Sequence, residues 1–310
     1  MALLLLNRRA GKGRAAALEP LLRQPLCQAT GAGDSHVLAT PDGVPEALAL
    51  VRAQAEGSRV VVVGGDGSVH QLLPALLERH CSLALVPAGG GDDIARALGV
   101  HGLAPEQALQ LALHGSTTPW DVAEVQTLHE RRPFLSSLCV GFDAAVAARA
   151  NRLPPWLGGR HRYTLATLLQ LLGLQLQQVQ LQVDGQDSPQ AACLMAPVLN
   201  TPSYGGGLPA VPGARPDDGQ LDLLHAGQFS RLGALRMLPA LMRGRHLGHP
   251  QVQARAFRSL QLQAAQPLQL AADGESLQPS THLWVQLLPT ALHLVGRPQA
   301  THSPTNKFSP

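Results

Sequence analysis

The chain has 310 residues, with 24 basic and 21 acidic side chains, a formal net charge of +3, 45% hydrophobic and 15% charged residues. That length allows two domains with sizeable cores, and the apolar content excludes a disordered chain. The mild charge, without a basic block, excludes a nucleic-acid-binding arm. Four widely spaced cysteines (Cys27, Cys81, Cys139, Cys193) form neither a C-x-x-C pair nor a disulfide framework, so reduced thiols in a cytoplasm are expected. The start, MALLLLNRRAGKG, has too short an apolar run for a signal peptide and carries its arginines after that run. No run of about 18 apolar residues is present to span a membrane.

Residues 2–6 read as a buried strand and 7–13 as a glycine-containing turn, in which Lys12 lacks the G-x-x-x-x-G-K-[ST] spacing of a P-loop. A helix is expected over 15–22, a short strand over 36–40 ending at Thr40, and a crossover helix over 46–54. Val60 to Val63 is a β-branched run of the kind buried on both faces of a parallel sheet. Gly64, Gly65 and Gly67 then permit a tight turn, and Ser68 is placed to cap the next helix. Pro74 should kink or break that helix. A second unit repeats the pattern: strand 83–86, Pro87, the turn Gly89-Gly90-Gly91, and Asp92 as N-cap of a helix over 93–98. Glycine-rich turns that open onto helix N-termini suit phosphate. Asp66 and Asp93 inside them repel phosphate unless a cation intervenes, which points to a magnesium-nucleotide.

Strands alternating with helices define an α/β domain with a parallel sheet over 1–121. From Val122 onward, strand patterns dominate over 122–298, with the last segment free to return to the first domain. Residues 174–183 alternate apolar and glutamine, as in a half-exposed antiparallel strand before the hairpin turn Asp184-Gly185. The leucine-rich stretches 164–174 and 231–245, and the loop 153–162 with Trp156 and several basic residues, fit either a membrane surface or buried amphipathic helices with a solvated loop. The polar tail 299–310 reads as disordered.

Gly64-Gly65-Asp66-Gly67-Ser68 resembles the GGDGT signature of the diacylglycerol kinase catalytic family, which includes bacterial lipid kinases and sphingosine kinases. Residues 87–96 (PAGGGDDIAR) resemble its P-x-G-T-x-N-D-x-A-R signature, and Asn7 and Gly11 fit its N-P-x-x-G turn. Residues 200–223 resemble its N-x-x-x-x-G-G-G…P-x-A-x-x-D-D-G-x-L-D segment, and Asp273-Gly274-Glu275 matches its D-G-E.

The resemblance implies an NAD kinase-like α/β domain followed by a mainly antiparallel β-sandwich domain. It also implies ATP and Mg2+ as cofactors, and a lipid hydroxyl at a membrane surface as acceptor. ATP would meet Asn7, Thr40, Gly64, Gly65, Asp66, Gly67, Ser68, Val69, His70, Gly89, Gly90 and Gly91. Magnesium would be held by the Asp218 carboxylate and the carbonyls of Arg215 and Gln220. Asp273 would be the general base and Glu275 an orienting group or ion-pair partner, with Asp66, Asp93 and Asp121 as an acidic cluster near the phosphates. The acceptor would be of diacylglycerol, phosphatidylglycerol or sphingoid type.

Several positions depart from the family: Ser68 replaces threonine, His70 and Gln71 replace asparagine and glutamate, Gly90 replaces threonine, and Asp92 replaces asparagine. Arg96, one turn along, is placed to pair with Asp92. These departures leave two alternatives open: a catalytically weak nucleotide- or lipid-binding regulatory protein, and an NAD kinase-like enzyme.

Overall fold

The computed structural model describes residues 2–28, 36–154, 157 and 159–297, with main chain only at 24–28, 159 and 160. The disorder expected of the tail, and the environments of Cys27 and Trp156, lie outside the described residues. In chain order the first elements are β1 (Ala2–Leu6), α1 (Glu19–Gln28), β2 (His36–Ala39), α2 (Val44–Arg52), β3 (Arg59–Gly64), α3 (Asp66–Glu78), β4 (Ser82–Pro87), α4 (Asp93–Ala97), α5 (Pro105–His114) and β5 (Thr117–Thr127). Then come β6 (Arg131–Phe134), β7 (Ser137–Val140), α6 (Phe142–Arg152), α7 (Gly159–Leu172), β8 (Gln177–Val183), β9 (Gln186–Asp187), β10 (Ala191–Cys193) and β11 (Val198–Leu199). The last are β12 (Leu221–Ala226), α8 (Arg231–Met242), β13 (Val252–Phe257), β14 (Ser259–Ala272) and β15 (Glu275–Val295).

The chain divides into two compact units. One comprises residues 1–122 and a return segment beginning at Pro289; the other runs from Ala123 to Leu288. In the first, β2, β1, β3, β4 and the end of β15 lie side by side in that order, all parallel. β1, residues 60–63 of β3 and residues 83–86 of β4 are apolar and buried without interruption because the sheet is covered on both faces. Leu4, Leu6, Val61, Val63, Ala84 and Val86 pack there with Leu22, Leu109 and Leu113.

One local expectation fails and another is narrowed. The helix expected over 15–22 instead begins at Glu19, after a 3-10 turn at Ala16–Leu18, because Pro20 is tolerated only in a first turn. Pro74 does not end α3, which runs to Glu78: Val69, Leu72, Leu73 and Leu76, all buried, hold the helix together around the missing N–H.

In the second unit the pairings are antiparallel: β6 with β5, β7 with β11 and β14, β12 with β11 and β13, and β8 with β9, β10 and β14, which also pairs the first part of β15. The alternation of β8 is real: Val179, Leu181 and Val183 are buried while Gln178 and Gln180 are exposed. The register of β14 against β15 shifts between Gln263 and Leu268, where Pro267 lacks a ladder N–H. Phe134, Val179, Phe257, Leu260 and Leu262 anchor this core.

Candidate active site

Three turns meet at the carboxyl ends of β1, β3 and β4. Asn7 Nδ2 donates to Ser68 Oγ at 2.9 Å, joining the first turn to the second. Ala88 N donates to Gly64 O at 2.8 Å, and an Arg14 guanidinium N–H donates to Gly89 O, joining both to the third. The close approach explains the glycines. A Cβ on Gly65 would lie 2.7 Å from Gly89 Cα, and one on Gly89 would lie 2.6 Å from Gly65 Cα. Gly11, at φ +59°, leaves no room either: its Cβ would lie 2.0 Å from Ala88 O.

Asp66 links the turns electrostatically. Its Oδ2 accepts from Asp93 N at 3.0 Å and its Oδ1 from Ile94 N at 3.1 Å, so it caps α4 from the first turn of α3. This displaces Asp92 from the role expected of it. Asp92 occupies the N-cap position at φ +55° in the left-handed region and makes no capping hydrogen bond. Its Oδ1 is sealed from solvent without a hydrogen-bond partner. Burial raises the Asp92 carboxyl pKa, opposed by His101, Arg14, the Gly89 N–H and Arg96. Arg96 acts on Asp92 through its charge, while its Nε lies 4.0 Å from Asp93 Oδ1 and its Nη2 donates to Gly91 O at 3.1 Å.

Ser68 is likewise not a cap; it lies within the first turn of α3, whose N-cap is Gly65. Val69 and His70 are buried along α3, and Val69 N donates to Gly65 O, so Val69 is a packing residue without a group to offer a ligand. Thr40 follows β2, half-buried, and Gly90 is exposed with open space where a Cβ would stand. Asp121 is 1% exposed and its Oδ1 accepts from Thr290 N at 2.8 Å, which ties the return segment to β5. Thus Asp66 meets the main chain of Asp93, and one oxygen of Asp121 holds Thr290 N. Among the described residues, no three His, Cys, Asp or Glu side chains are grouped to hold a metal.

Asp273 and Glu275 lie in the second unit. Asp273 and Gly274, at φ +48° and +87°, form the two-residue turn between β14 and β15. The Asp273 carboxylate reaches back to the segment before β7. Oδ2 accepts from Leu135 N at 2.9 Å, and Oδ1 from Ser136 N at 2.7 Å and Ser137 N at 3.1 Å. The same segment is held from its other side by Asn200, whose Nδ2 donates to Leu135 O at 2.9 Å. Glu275 is exposed. In the 215–220 loop, Asp218 Oδ1 accepts from Gln220 N at 3.1 Å, and the Arg215 side chain pairs with Asp217. The donor set Asp218 carboxylate, Arg215 carbonyl and Gln220 carbonyl is all oxygen and fits a hard cation such as magnesium. Arg14 and Asn200 carry roles that local pattern did not assign; both act through main-chain carbonyls distant in sequence.

A parallel α/β unit with phosphate-type turns, joined to an antiparallel β unit, defines the architecture of the NAD kinase-like phosphotransferases. Residues 1–125 match the diacylglycerol kinase catalytic domain, and residues 136–296 match the YegS C-terminal NAD kinase beta sandwich-like domain. A diacylglycerol kinase from Mycobacterium tuberculosis is 32% identical over 248 residues, 79% of each chain. A probable YegS-like lipid kinase from Pseudomonas putida is 33% identical over 279 residues, 87% of this chain and 85% of its own. A crystal structure of a diacylglycerol kinase from Bacillus anthracis superposes with a TM-score of 0.74 at 21% identity, over 96% of this chain and 97% of that one. An NAD kinase from Archaeoglobus fulgidus, solved in complex with ATP, gives 0.53 at 12% identity, over 99% of this chain and 96% of that one. The chain belongs to the diacylglycerol kinase family of lipid kinases, phosphotransferases with an alcohol group as acceptor. No helix among the described residues is long and apolar enough to cross a membrane.

Proposed function

We propose that the protein transfers the γ-phosphoryl group of ATP, with magnesium, to a lipid hydroxyl of diacylglycerol, phosphatidylglycerol or sphingoid type. The observation that carries this reading is the contact of Gly65 with Gly89, bridged by Asp66 to α4. Two glycine turns packed backbone to backbone, beside the N-terminus of α3 where no side chain caps, form a surface suited to phosphate oxygens. Magnesium, when bound, supplies charge neutralisation for the phosphates; on the second unit, Asp218 with the carbonyls of Arg215 and Gln220 would hold such a hard cation.

In the transfer, the acceptor oxygen forms a bond to the γ-phosphorus as the bond to the β,γ-bridging oxygen breaks, and the hydroxyl proton passes to a carboxylate. We assign that carboxylate to Glu275. It is exposed, whereas both oxygens of Asp273 are occupied by main-chain N–H groups. Asp273 is then the positioning residue that fixes the turn.

The buried Asp92 carboxyl supports one second reading, a nucleotide-binding regulatory protein without transfer. Purified protein with labelled ATP, magnesium and a panel of diacylglycerol, phosphatidylglycerol, sphingosine and NAD separates the possibilities. Label transferred to a lipid, and lost in Glu275→Gln, is the expected result. Transfer to NAD alone, or nucleotide binding without any transfer, overturns it.

A further inference from the structure

The loop over residues 200–220, which joins β11 to β12, carries the oxygen donors that fit a hard cation. It has no regular element beyond an isolated bridge between Tyr204 and Leu208, and Gly205, Gly206 and Gly207 all lie at positive φ. Such a segment has many shapes open to it. Magnesium, by contrast, demands oxygen ligands close to octahedral positions. The affinity of the donor set therefore depends on what fixes the loop from outside. Most of it is fixed far from the donors: Asn200 and Thr201 bond to Leu135, Ser136 and Ser203, and His246, 2% exposed, donates from Nε2 to Ala210 O at 2.7 Å. These contacts leave residues 215–220 to be oriented by something else.

Arg258 does this. It is exposed at the join between β13 and β14, and its Nε donates to Gly219 O at 3.1 Å. Gly219 lies between two of the donors, and Asp218 Oδ1 accepts from Gln220 N at 3.1 Å. The peptide joining Gly219 to Gln220 is thus gripped at both ends, its carbonyl by the guanidinium and its N–H by the Asp218 carboxylate. Because that peptide is planar and rigid, turning it would turn the Asp218 carboxylate and the Gln220 main chain together. Arg258 is itself anchored: its N–H and that of Ser259 both donate to Asp184 Oδ1 at 2.9 Å, in the hairpin turn between β8 and β9. Electrostatics alone gives a guanidinium no reason to stand beside a divalent cation, since like charges repel. Any gain that Arg258 brings to such a site is geometric.

We infer that Arg258 is a positioning residue for the cation loop: through the Gly219 carbonyl it aims the Asp218 carboxylate and the Gln220 carbonyl at a shared hard cation. It touches neither the cation nor the reacting atoms. The inference rests on the proposed role of Asp218, Arg215 and Gln220 in holding magnesium, and it adds the group that makes a glycine-rich loop rigid enough for that role. Hydrogen-bond partners of ligating groups commonly govern metal affinity in this way.

The test is titration of the full chain with Mn2+, without nucleotide or lipid, the free ion being followed by electron paramagnetic resonance and displaced by Mg2+. Wild type should bind an ion that Mg2+ displaces and that Asp218→Asn loses. Arg258→Gln should weaken that ion about tenfold or more with an unchanged apo thermal midpoint, since His246, Asn200 and Thr201 still hold the rest of the loop. Arg258→Lys, which keeps the charge and a donor, should recover most of the affinity. The sign is decisive: removal of a positive charge would by itself tighten a divalent cation, whereas loss of the latch loosens it. Arg258→Gln that binds the ion as tightly as wild type or more tightly overturns the inference. So does weakening accompanied by a lower apo midpoint and not recovered by lysine, which would reduce Arg258 to a fold-stabilising contact. An ion indifferent to Asp218→Asn, or no bound ion at all, instead sinks the magnesium role of the loop, and the inference with it.

Discussion

Gly65 and Gly89 stand against each other so closely that a methyl group on either would lie within 2.7 Å of the other's Cα. The neighbour is main chain, which cannot move aside as a flexible side chain could. Gly65→Ala and Gly89→Ala are therefore expected to separate the two turns, destabilise the fold by about 1–3 kcal/mol and weaken ATP binding by at least tenfold. Thermal unfolding and equilibrium nucleotide binding check this; an alanine variant with wild-type affinity would mean that the turns do not form the nucleotide surface.

Gly90 provides the converse case. It is exposed, with nothing within 4 Å of an added Cβ. Gly90→Thr should be accommodated and should supply the hydroxyl that the family signature carries, tightening ATP binding about tenfold, as expected of one hydrogen bond to a charged phosphate. Combined with Asp92→Asn, which keeps a residue tolerant of the left-handed conformation and removes a buried carboxyl, the gain should be larger at neutral pH. Titration calorimetry of the single and double variants measures both; unchanged or weaker binding would place the γ-phosphate elsewhere.

Asp66 acts on α4 across 27 positions of sequence. Asp66→Ala should leave the N–H groups of Asp93 and Ile94 without this acceptor and lower stability by about 0.5–2 kcal/mol, apart from any effect on the reaction. Asp66→Asn should lose part of this, because its NH2 would oppose one of the two donors. Urea unfolding of both variants is the check, and an Ala variant as stable as wild type would remove the capping role.

Asp273→Asn is a poor probe of a base. One of its side-chain positions must turn an NH2 toward Leu135 N–H or toward the pair at Ser136 and Ser137. It should lose stability and turnover together, by about 1–3 kcal/mol in stability. Glu275→Gln should keep the thermal midpoint and ATP affinity while turnover falls by about 100-fold or more. A Glu275→Gln enzyme with wild-type turnover would return the base assignment to Asp273.

Asp143 sets a pH dependence. Its Oδ1 accepts from Ala144 N at 2.9 Å, its Oδ2 is sealed without a hydrogen bond, and burial raises its carboxyl to about 6. The folded chain thus keeps a proton that the unfolded chain releases near pH 4. This stabilising contribution is complete below that pH and is lost as pH rises through about 6. Asp143→Asn should be more stable than wild type at pH 7 by about 2–3 kcal/mol, with the gap closing toward pH 4. A gap that does not change with pH would exclude the titration.

The elements held by short-range rules were legible before any coordinates. The runs at 2–6, 60–63 and 83–86 are apolar without interruption because both faces of their strands are covered, and the glutamine alternation of β8 marks a sheet with one wet face. The glycine turns were legible too. What local reading missed was who bonds whom at long range. Ser68 and Asp92 have the composition of caps. Yet the amides of α4 are taken by Asp66, Ser68 Oγ is taken by Asn7, and Asp92 is turned away by its positive φ. The carboxylate of Asp273 reaches amides 136 to 138 positions earlier, which no window of sequence reveals. Pro74 left a kink or a break open by propensity, and side-chain packing along α3 excludes the break.

The return segment at the end of β15 bears on how the protein is made. His293, Leu294 and Val295 pair with Ser82, Leu83 and Ala84; Thr118 Oγ1 donates to Leu294 O, and Arg297 N to Leu98 O. A ribosome therefore releases the first 122 residues long before their last neighbouring strand exists, leaving one side of β4 an unpaired edge during synthesis. The unit begun first is finished last, and a chain cut short at its C-terminus damages the N-terminal unit.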